Sequence, residues 1–244
     1  MIKTEGIVIG ETRYKETSKI LNIYTNNLGK ISVMAQGALK PKSQFLATTQ
    51  MFSHSDFQLR KGRSFYYIVQ VDLIDSFYAI RENIDRVSFG FYMLELLNKS
   101  VADGEVNEKL FMLFKKGLST LTNLDDEYLK FIVAYELKYV CFLGYRPLID
   151  RCVSCGNSLN TALKFSKTLG GLLCSNCYME DIGALNVDVN QVNVLNKLLY
   201  SSFEDIKSMR IMNDLLKDIH YLLVDYILYN IDRKELKSMN LLKI

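Results

Sequence analysis

Lys19-Ile20-Leu21-Asn22-Ile23-Tyr24-Thr25-Asn26-Asn27-Leu28-Gly29-Lys30-Ile31-Ser32-Val33-Met34-Ala35 is the stretch on which the fold class depends. Two runs of β-formers flank Asn26-Asn27-Leu28-Gly29, whose residues tolerate positive φ, so the segment reads as a hairpin. Upstream, Gly6-Ile7-Val8-Ile9-Gly10 supplies another strand. Downstream, Met51 to Leu59 and Phe65 to Leu73 form a second pair, joined by Arg60-Lys61-Gly62-Arg63-Ser64. Five strands in roughly 75 residues, with no helix long enough to cover an open sheet, predict a small closed barrel. An OB-like barrel is the preferred form, and an SH3-like barrel fits the spacing nearly as well.

From Phe77 the apolar period changes. Ile84, Val87, Phe91, Leu94 and Leu97 follow helical spacing, as do Leu110, Leu113, Phe114 and Leu118, then Leu129, Ile132, Val133, Leu137 and Val140. Asn107 and Asp125 are the expected N-caps of the second and third helices, because a side-chain oxygen there accepts from an otherwise unpaired N–H. Two further helices are expected over Asp188 to Tyr200 and Ile211 to Tyr229, followed by a polar, basic and frayed tail from Arg233 to Ile244. The fold class is therefore α+β: an OB-like barrel over residues 1–78, then a helical domain over residues 79–244 carrying an inserted zinc ribbon at residues 149–181.

That ribbon is read from Cys152-Val-Ser-Cys155 and Cys174-Ser-Asn-Cys177, two Cys-x-x-Cys pairs separated by eighteen residues. Each two-residue turn lets a pair of sulfurs converge on one ion, and four thiolates complete a tetrahedral Zn2+ site. Gly156, Gly170 and Gly171 give the backbone room around the knuckles. Ala162 to Phe165 and Gly171 to Leu173 are expected to form the ribbon's short hairpin. With all four ligands supplied by Cys152, Cys155, Cys174 and Cys177, no position remains for water, so one structural zinc is expected. Cys141, on the apolar face of a helix, reads as a core residue.

Hydrophobic residues make up 49% and charged residues 23% of the 244-residue chain, as expected of a folded soluble protein. No apolar stretch is long enough for a membrane helix, and no export signal is seen at Met1 to Gly6, so the reading is cytoplasmic, with thiols kept reduced. No Walker loop, dinucleotide glycine fingerprint, nucleophile elbow or His-Glu-x-x-His is present, and a zinc deaminase lacks its His-x-Glu partner. His54 and His220 read as structural, and Asp125-Asp126-Glu127 as a complement to a helix dipole. A catalyst is not expected.

The net charge of +3 is unevenly placed: residues 13–63 hold nine basic against two acidic side chains, a net of +7. Such a field favours a polyanion. Ala35-Gln36-Gly37-Ala38-Leu39-Lys40-Pro41-Lys42-Ser43 offers N–H, hydroxyl and ammonium groups to phosphates, and Arg13, Lys15, Arg60, Lys61 and Arg63 add charge on neighbouring loops. Phe52, Phe57, Tyr66 and Tyr67 are candidates to stack bases, although alternation along a strand assigns half or more of them to the core.

These residues resemble the bacterial RecO recombination mediators. Thr4 to Ile9, Tyr14 to Leu21 and Tyr24-Thr25…Gly29-Lys30-Ile31 look like the family's first three strands, and Gly37 to Ser43 like its basic loop, with Leu39 where an arginine is common. Tyr135-Glu136-Leu137…Leu143-Gly144-Tyr145-Arg146-Pro147, leading into Cys152-x-x-Cys155-Gly156, is similar to its junction between helix and zinc, and Phe165-Ser166…Gly170 to Cys177 completes the match. The resemblance implies binding of single- and double-stranded DNA at the nucleoid, annealing of complementary strands, and a partnership with RecR in loading RecA onto DNA coated by single-strand-binding protein. The acidic tail of that coating protein is expected on the helical domain, with Lys130 and Lys138 as the available cations. The alternative reading is a zinc-stapled OB protein that binds RNA.

Overall fold

The computed structural model describes residues 1–159 and 163–244. The chain packs as two units, Met1–Leu124 with Leu236–Leu242, and Asp125–Glu235 with Lys243–Ile244. In the first, strands β1 (Ile2–Tyr14), β2 (Ser18–Thr25), β3 (Gly29–Ala35), β4 (His54–Lys61) and β5 (Tyr66–Asp75) close a barrel in the order β1-β2-β3-β5-β4. The pairing is antiparallel except between β3 and β5, which meet in parallel at Val33–Tyr66 and Met34–Tyr67. A five-stranded Greek-key closure of this order is that of an OB fold, which decides between the two barrels the spacing allowed.

Alternate residues fill the interior: Val8, Leu21, Ile23, Ile31, Val33, Phe57 and Leu59 form its core, and Ala38 enters from the connection after β3. β1 is longer than its apolar run, and an extra residue, Ile9, is bulged between the pairs Val8–Ile23 and Gly10–Asn22. The bulge breaks strict alternation, so Ile7, Val8 and Ile9 are all buried. Gly29 sits at φ +66 in the β2–β3 hairpin, where a Cβ would lie 2.3 Å from the Glu105 carbonyl oxygen. Only glycine satisfies both the backbone angle and that approach. Met51 and Phe52, expected in β4, instead lie in the turns before it, with Phe52 at φ 73.

Helices α1 (Tyr78–Arg81), α2 (Ile84–Ser100) and α3 (Glu108–Thr122) pack with the barrel. Asn83 caps α2 and Asn107 caps α3, each accepting N–H bonds of the first turn. Tyr24, outward on β2, packs against Phe111 and Phe114 of α3, and its hydroxyl donates to the Asn107 carbonyl at 3.2 Å. The tail is not frayed. Leu236 is buried, Lys237–Leu241 forms a short 3-10 helix, and the Glu95 carboxylate accepts from the N–H groups of Lys237 and Ser238. Burial works against ionisation of Glu95, but Lys99 and Ser238 together bring it down to about 2.

The second unit is built on α4 (Tyr128–Phe142), buried on nearly every side and packed by α5 (Val189–Tyr200), α6 (Phe203–Lys207) and α7 (Asn213–Asn230). A helix apolar around most of its circumference must be a core helix. It does not start at Asp125. Glu127 takes φ 54 and turns the chain into the helix, and its carboxylate meets Lys130 Nζ at 2.7 Å instead of capping an N–H. A three-stranded sheet, in the order β7 (Gly171–Leu173), β6 (Leu163–Ser166), β8 (Leu185–Val187), carries the cysteine segment. The ribbon hairpin is present as β6 and β7, while Ala162 lies outside the described residues. Among the described residues no helix is long and apolar enough to cross a membrane.

An ionic pair is fully buried in this unit. His220 Nδ1 on α7 lies 2.9 Å from Glu136 Oε1 on α4, and both side chains are fully buried. Burial disfavours the charged imidazole, but the Glu136 carboxylate outweighs it and raises the His220 pKa. A raised folded-state value means that this stabilisation is fully present below about pH 6.5, the unfolded value, and is lost as pH rises through the folded one. Thermal melts are expected to show a midpoint that falls as pH is raised above about 6.5. Glu136→Ala should cost about 3–5 kcal/mol by leaving a buried partner uncompensated, and Glu136→Gln should flatten the pH dependence.

Candidate metal centre and nucleic-acid interface

Two knuckles bring the four cysteines together. Cys152 and Cys155 lie on the turn that ends at Gly156, which is at φ 74, and Gly156 N–H donates to the Cys152 carbonyl at 3.0 Å. Cys174 and Cys177 follow β7 directly, and Cys177 N–H donates to the Cys174 carbonyl. Gly171 at the start of β7 is forced by packing, because a Cβ there would meet the Leu148 carbonyl oxygen at 2.5 Å. All four sulfurs lie within 4.8 Å of one another, and those of Cys155 and Cys174 are 3.7 Å apart. A tetrahedron with metal–sulfur bonds of about 2.3 Å has edges of about 3.8 Å. The donor set and its spacing therefore fit one metal ion.

The backbone prepares one of the four thiols for ionisation. Burial opposes ionisation of Cys152, yet N–H groups of Cys155, Cys174 and Ser154 point at its sulfur and lower its pKa, the Cys174 N–H at 3.4 Å. Cys152, Leu173, Cys174 and Cys177 form a small core with Val153, Leu159 and Ala184 against it, so the centre substitutes for apolar volume that the ribbon lacks. Cys141 is only half-buried, and burial raises its thiol pKa.

The candidate DNA-binding side chains fall into two groups on the barrel. Arg13 and Lys15 are exposed at the β1–β2 hairpin tip, and the Gly37-to-Ser43 loop is tied to that tip. Leu39 N–H donates to the Thr17 carbonyl at 2.9 Å and Gly37 N–H to the Ser18 hydroxyl. Lys40 and Lys42 are thereby held, exposed, beside Arg13 and Lys15. Ser43 is half-buried, and its hydroxyl accepts from Phe45 N–H at 3.2 Å. The second group is the β4–β5 tip, where Arg60, Lys61 and Arg63 are exposed.

Between the groups runs one row of paired residues across five strands: Arg60, Tyr67, Met34, Ile20 and Thr12. Arg60 covers the Tyr67 ring at 5.2 Å. Tyr66 packs inward against the barrel core, and Phe52 and Phe57 are buried, so of the four aromatic candidates only Tyr67 presents its ring from the outer face. Three acids line up farther along the outer faces of β1, β4 and β5, with Lys3 among them. Glu5, Asp56 and Asp72 are paired neighbours across β1, β4 and β5. Glu5 is held below the usual carboxylate range: burial raises it, but Lys115 and His54 more than offset that. His54 lies 2.6 Å from Glu5 and stacks on Phe77, a structural role.

The two helical lysines are engaged within their unit. Lys130 is 3% exposed, and its ammonium donates to Glu127 and to the carbonyls of Lys207 and Met209, using all three donors at the end of α6. Lys138 is half-buried and donates to the carbonyls of Leu198 and Leu199 at the end of α5. Sequence spacing did not reveal these carbonyl partners, which are 60 to 79 residues away along the chain.

Family comparison matches the whole pattern: residues 1–77 fit the model of the Recombination protein O N terminal and residues 81–240 that of the Recombination protein O C terminal. The chain belongs to the RecO family. DNA repair protein RecO of Alkaliphilus metalliredigens is 35% identical over 243 residues, covering 100% of this chain and 99% of the relative. That of Acetivibrio thermocellus is 32% identical, covering 89% and 87%, and that of Oceanobacillus iheyensis 34%, covering 93% and 85%. RecO membership assigns the chain to DNA repair and recombination.

Binding of a metal ion by these four thiolates would be coupled to folding, because the unfolded chain holds no preformed site. Purified protein is expected to carry one metal ion per chain by elemental analysis. Chelation, or Cys152→Ala, should lower the thermal midpoint of the second unit while leaving far-UV signal from the barrel. A metal-free protein with an unchanged melt would contradict the assignment.

Proposed function

We propose that the chain is a non-enzymatic recombination mediator whose barrel, residues 1–78, binds single- and double-stranded DNA across the part of the outer face of β2 and β3 around Ile20 and Met34, beyond the part that α3 covers at Tyr24. The observation that carries this reading is the grouping of exposed basic side chains at two loop tips of the barrel. Arg13, Lys15, Lys40 and Lys42 stand at the β1–β2 tip and the loop bonded to it, and Arg60, Lys61 and Arg63 at the β4–β5 tip, while the row of Glu5, Asp56 and Asp72 lies farther along the strands. OB folds bind oligonucleotides on the same strands and flanking loops. Ser43 contributes through the shape of the loop, since its hydroxyl closes a turn on Phe45.

In this reading the family's activities belong to the chain: annealing of complementary strands and, with RecR, loading of RecA onto DNA coated by single-strand-binding protein. The ion held by Cys152, Cys155, Cys174 and Cys177 is Zn2+, because four thiolates at this spacing suit zinc and leave no open position for chemistry. It holds the ribbon and does not react. The acidic tail of single-strand-binding protein docks on the helical unit beside Lys138, whose ammonium stands 6.0 Å from the Phe203 ring.

Two measurements test this. If four to six phosphates are contacted, the log–log salt slope of DNA binding is roughly −3 to −5, and Lys40→Ala with Lys42→Ala flattens it by about one to two units for all sequences alike. An unchanged slope and affinity would reduce the basic face to solvated surface. For the tail, Lys138→Gln, which can still donate to Leu198 and Leu199, should weaken an acidic, aromatic-ended peptide and leave DNA affinity intact. Equal peptide binding by both proteins would move that site elsewhere.

A further inference from the structure

A cavity of about 570 Å³ opens on the first unit between the β1–β2 hairpin, the end of the β3–β4 connection, and helices α1 and α2. That volume lies in the range of small-molecule sites, roughly 300–1,000 Å³. Its walls are Met51, Phe52, Val87, Phe91 and Tyr78. Two of the rings remain in water: Tyr78 is 58% exposed and Phe91 38% exposed. Phe91 is fixed against the buried Phe52 ring, with centroids 5.8 Å apart. The rings are thus held in place and uncovered, as a stacking platform is.

The rim is cationic. The Arg81 guanidinium stands over the Tyr78 ring at 5.5 Å, and its Nη1 donates to the Met51 carbonyl at 2.8 Å, which leaves most of its five donors for other acceptors. Lys19 lies opposite and pairs with Glu11 at 2.6 Å, so the one carboxylate on the rim is already neutralised. Both belong to the hairpin that carries Arg13 and Lys15 and to which the Lys40 loop is bonded. The mouth of the cavity therefore adjoins the basic end of the DNA-binding face.

An apolar interior with aromatic faces and a guanidinium at the edge complements one nucleotide, with the base inside and the phosphate outside. The Gln50 amide on the wall supplies both a donor and an acceptor, which any base edge can meet. A base paired and stacked in duplex cannot reach such a cavity without being extruded. We propose that this cavity takes one unstacked base of single-stranded nucleic acid, on the Tyr78 and Phe91 rings with its phosphate at Arg81. The chain then has a contact with single strands that duplex does not make. The proposal rests on the reading of the barrel as a DNA-binding module and locates within it the element that senses strandedness.

The test uses the full chain, a single-stranded oligonucleotide with one 2-aminopurine in a thymine tract, and a duplex of equal length. Tyr78→Ala should weaken single-strand binding about 5- to 100-fold, the worth of one stacked base, and leave duplex affinity within about twofold. Tyr78→Phe should keep native affinity. Phe91→Leu, which retains apolar volume without the ring, should repeat the Tyr78→Ala loss. The 2-aminopurine should be quenched by the native chain and by Tyr78→Phe, and not by Tyr78→Ala. Native single-strand affinity in Tyr78→Ala and Phe91→Leu overturns the proposal, and so do equal losses on single strand and duplex. If the Lys40/Lys42 variant still loses affinity for both forms, only the base pocket has failed; if that variant also binds normally, the DNA-binding reading has failed with it.

Discussion

The barrel closes through its thinnest seam. Every other neighbouring pair of strands is antiparallel and shares six or more residue pairs, whereas β3 and β5 meet in parallel at two, Val33–Tyr66 and Met34–Tyr67. Closure at this point sets the register of the outer face. Once Met34 is beside Tyr67, the Arg60-Tyr67-Met34-Ile20-Thr12 row is determined by the antiparallel ladders on either side. The two basic tips then become the ends of one surface instead of separate loops. The same register lines up Glu5, Asp56 and Asp72 across β1, β4 and β5. Like charges on neighbouring strands repel, so this row is a local cost, and the Glu5 contacts to Lys115 and His54 offset part of it.

The second unit meets a different constraint. Its helices close around α4, but the segment between α4 and α5 has only short strands and a small apolar core of its own. A metal ion held by the four clustered thiolates would supply the missing cohesion, as expected where a small element cannot bury enough apolar surface. Within the helical part, polar groups do comparable work. Lys130 and Lys138 satisfy the carbonyl ends of α6 and α5, and Glu136 with His220 joins α4 to α7. Carbonyls at a helix end need such partners when water cannot reach them.

Much of the architecture could be read locally. The Asn26-to-Gly29 hairpin, the helical periods after Phe77, the Asn107 cap and the Asp188 start of α5 depend on side chains acting within a few residues of themselves. The metal ligands were readable for the same reason, since a Cys-x-x-Cys turn brings its two sulfurs together whatever surrounds it. The misreadings occurred where a distant contact outweighs local preference. Asp125 looked like a cap, but Lys130, bonded to the Lys207 and Met209 carbonyls 77 and 79 residues away, meets Glu127 in the turn that starts α4. The tail looked free, but Glu95 holds Lys237 and Ser238 from 142 and 143 residues away.

Local chemistry along the chain already implies a β-barrel, a helical body and a four-cysteine cluster, with positive charge concentrated in residues 13–63. Those properties follow from periodicity, turn chemistry and ligand spacing, all of which operate over short stretches of chain. Packing between distant elements settles the OB form over the SH3-like one, turns Tyr67 outward while Phe57 fills the core, and brings Tyr78, Phe91 and Arg81 to one cavity. Each of these is a matter of which distant strands and helices become neighbours, and register between elements is set by packing that no local stretch contains.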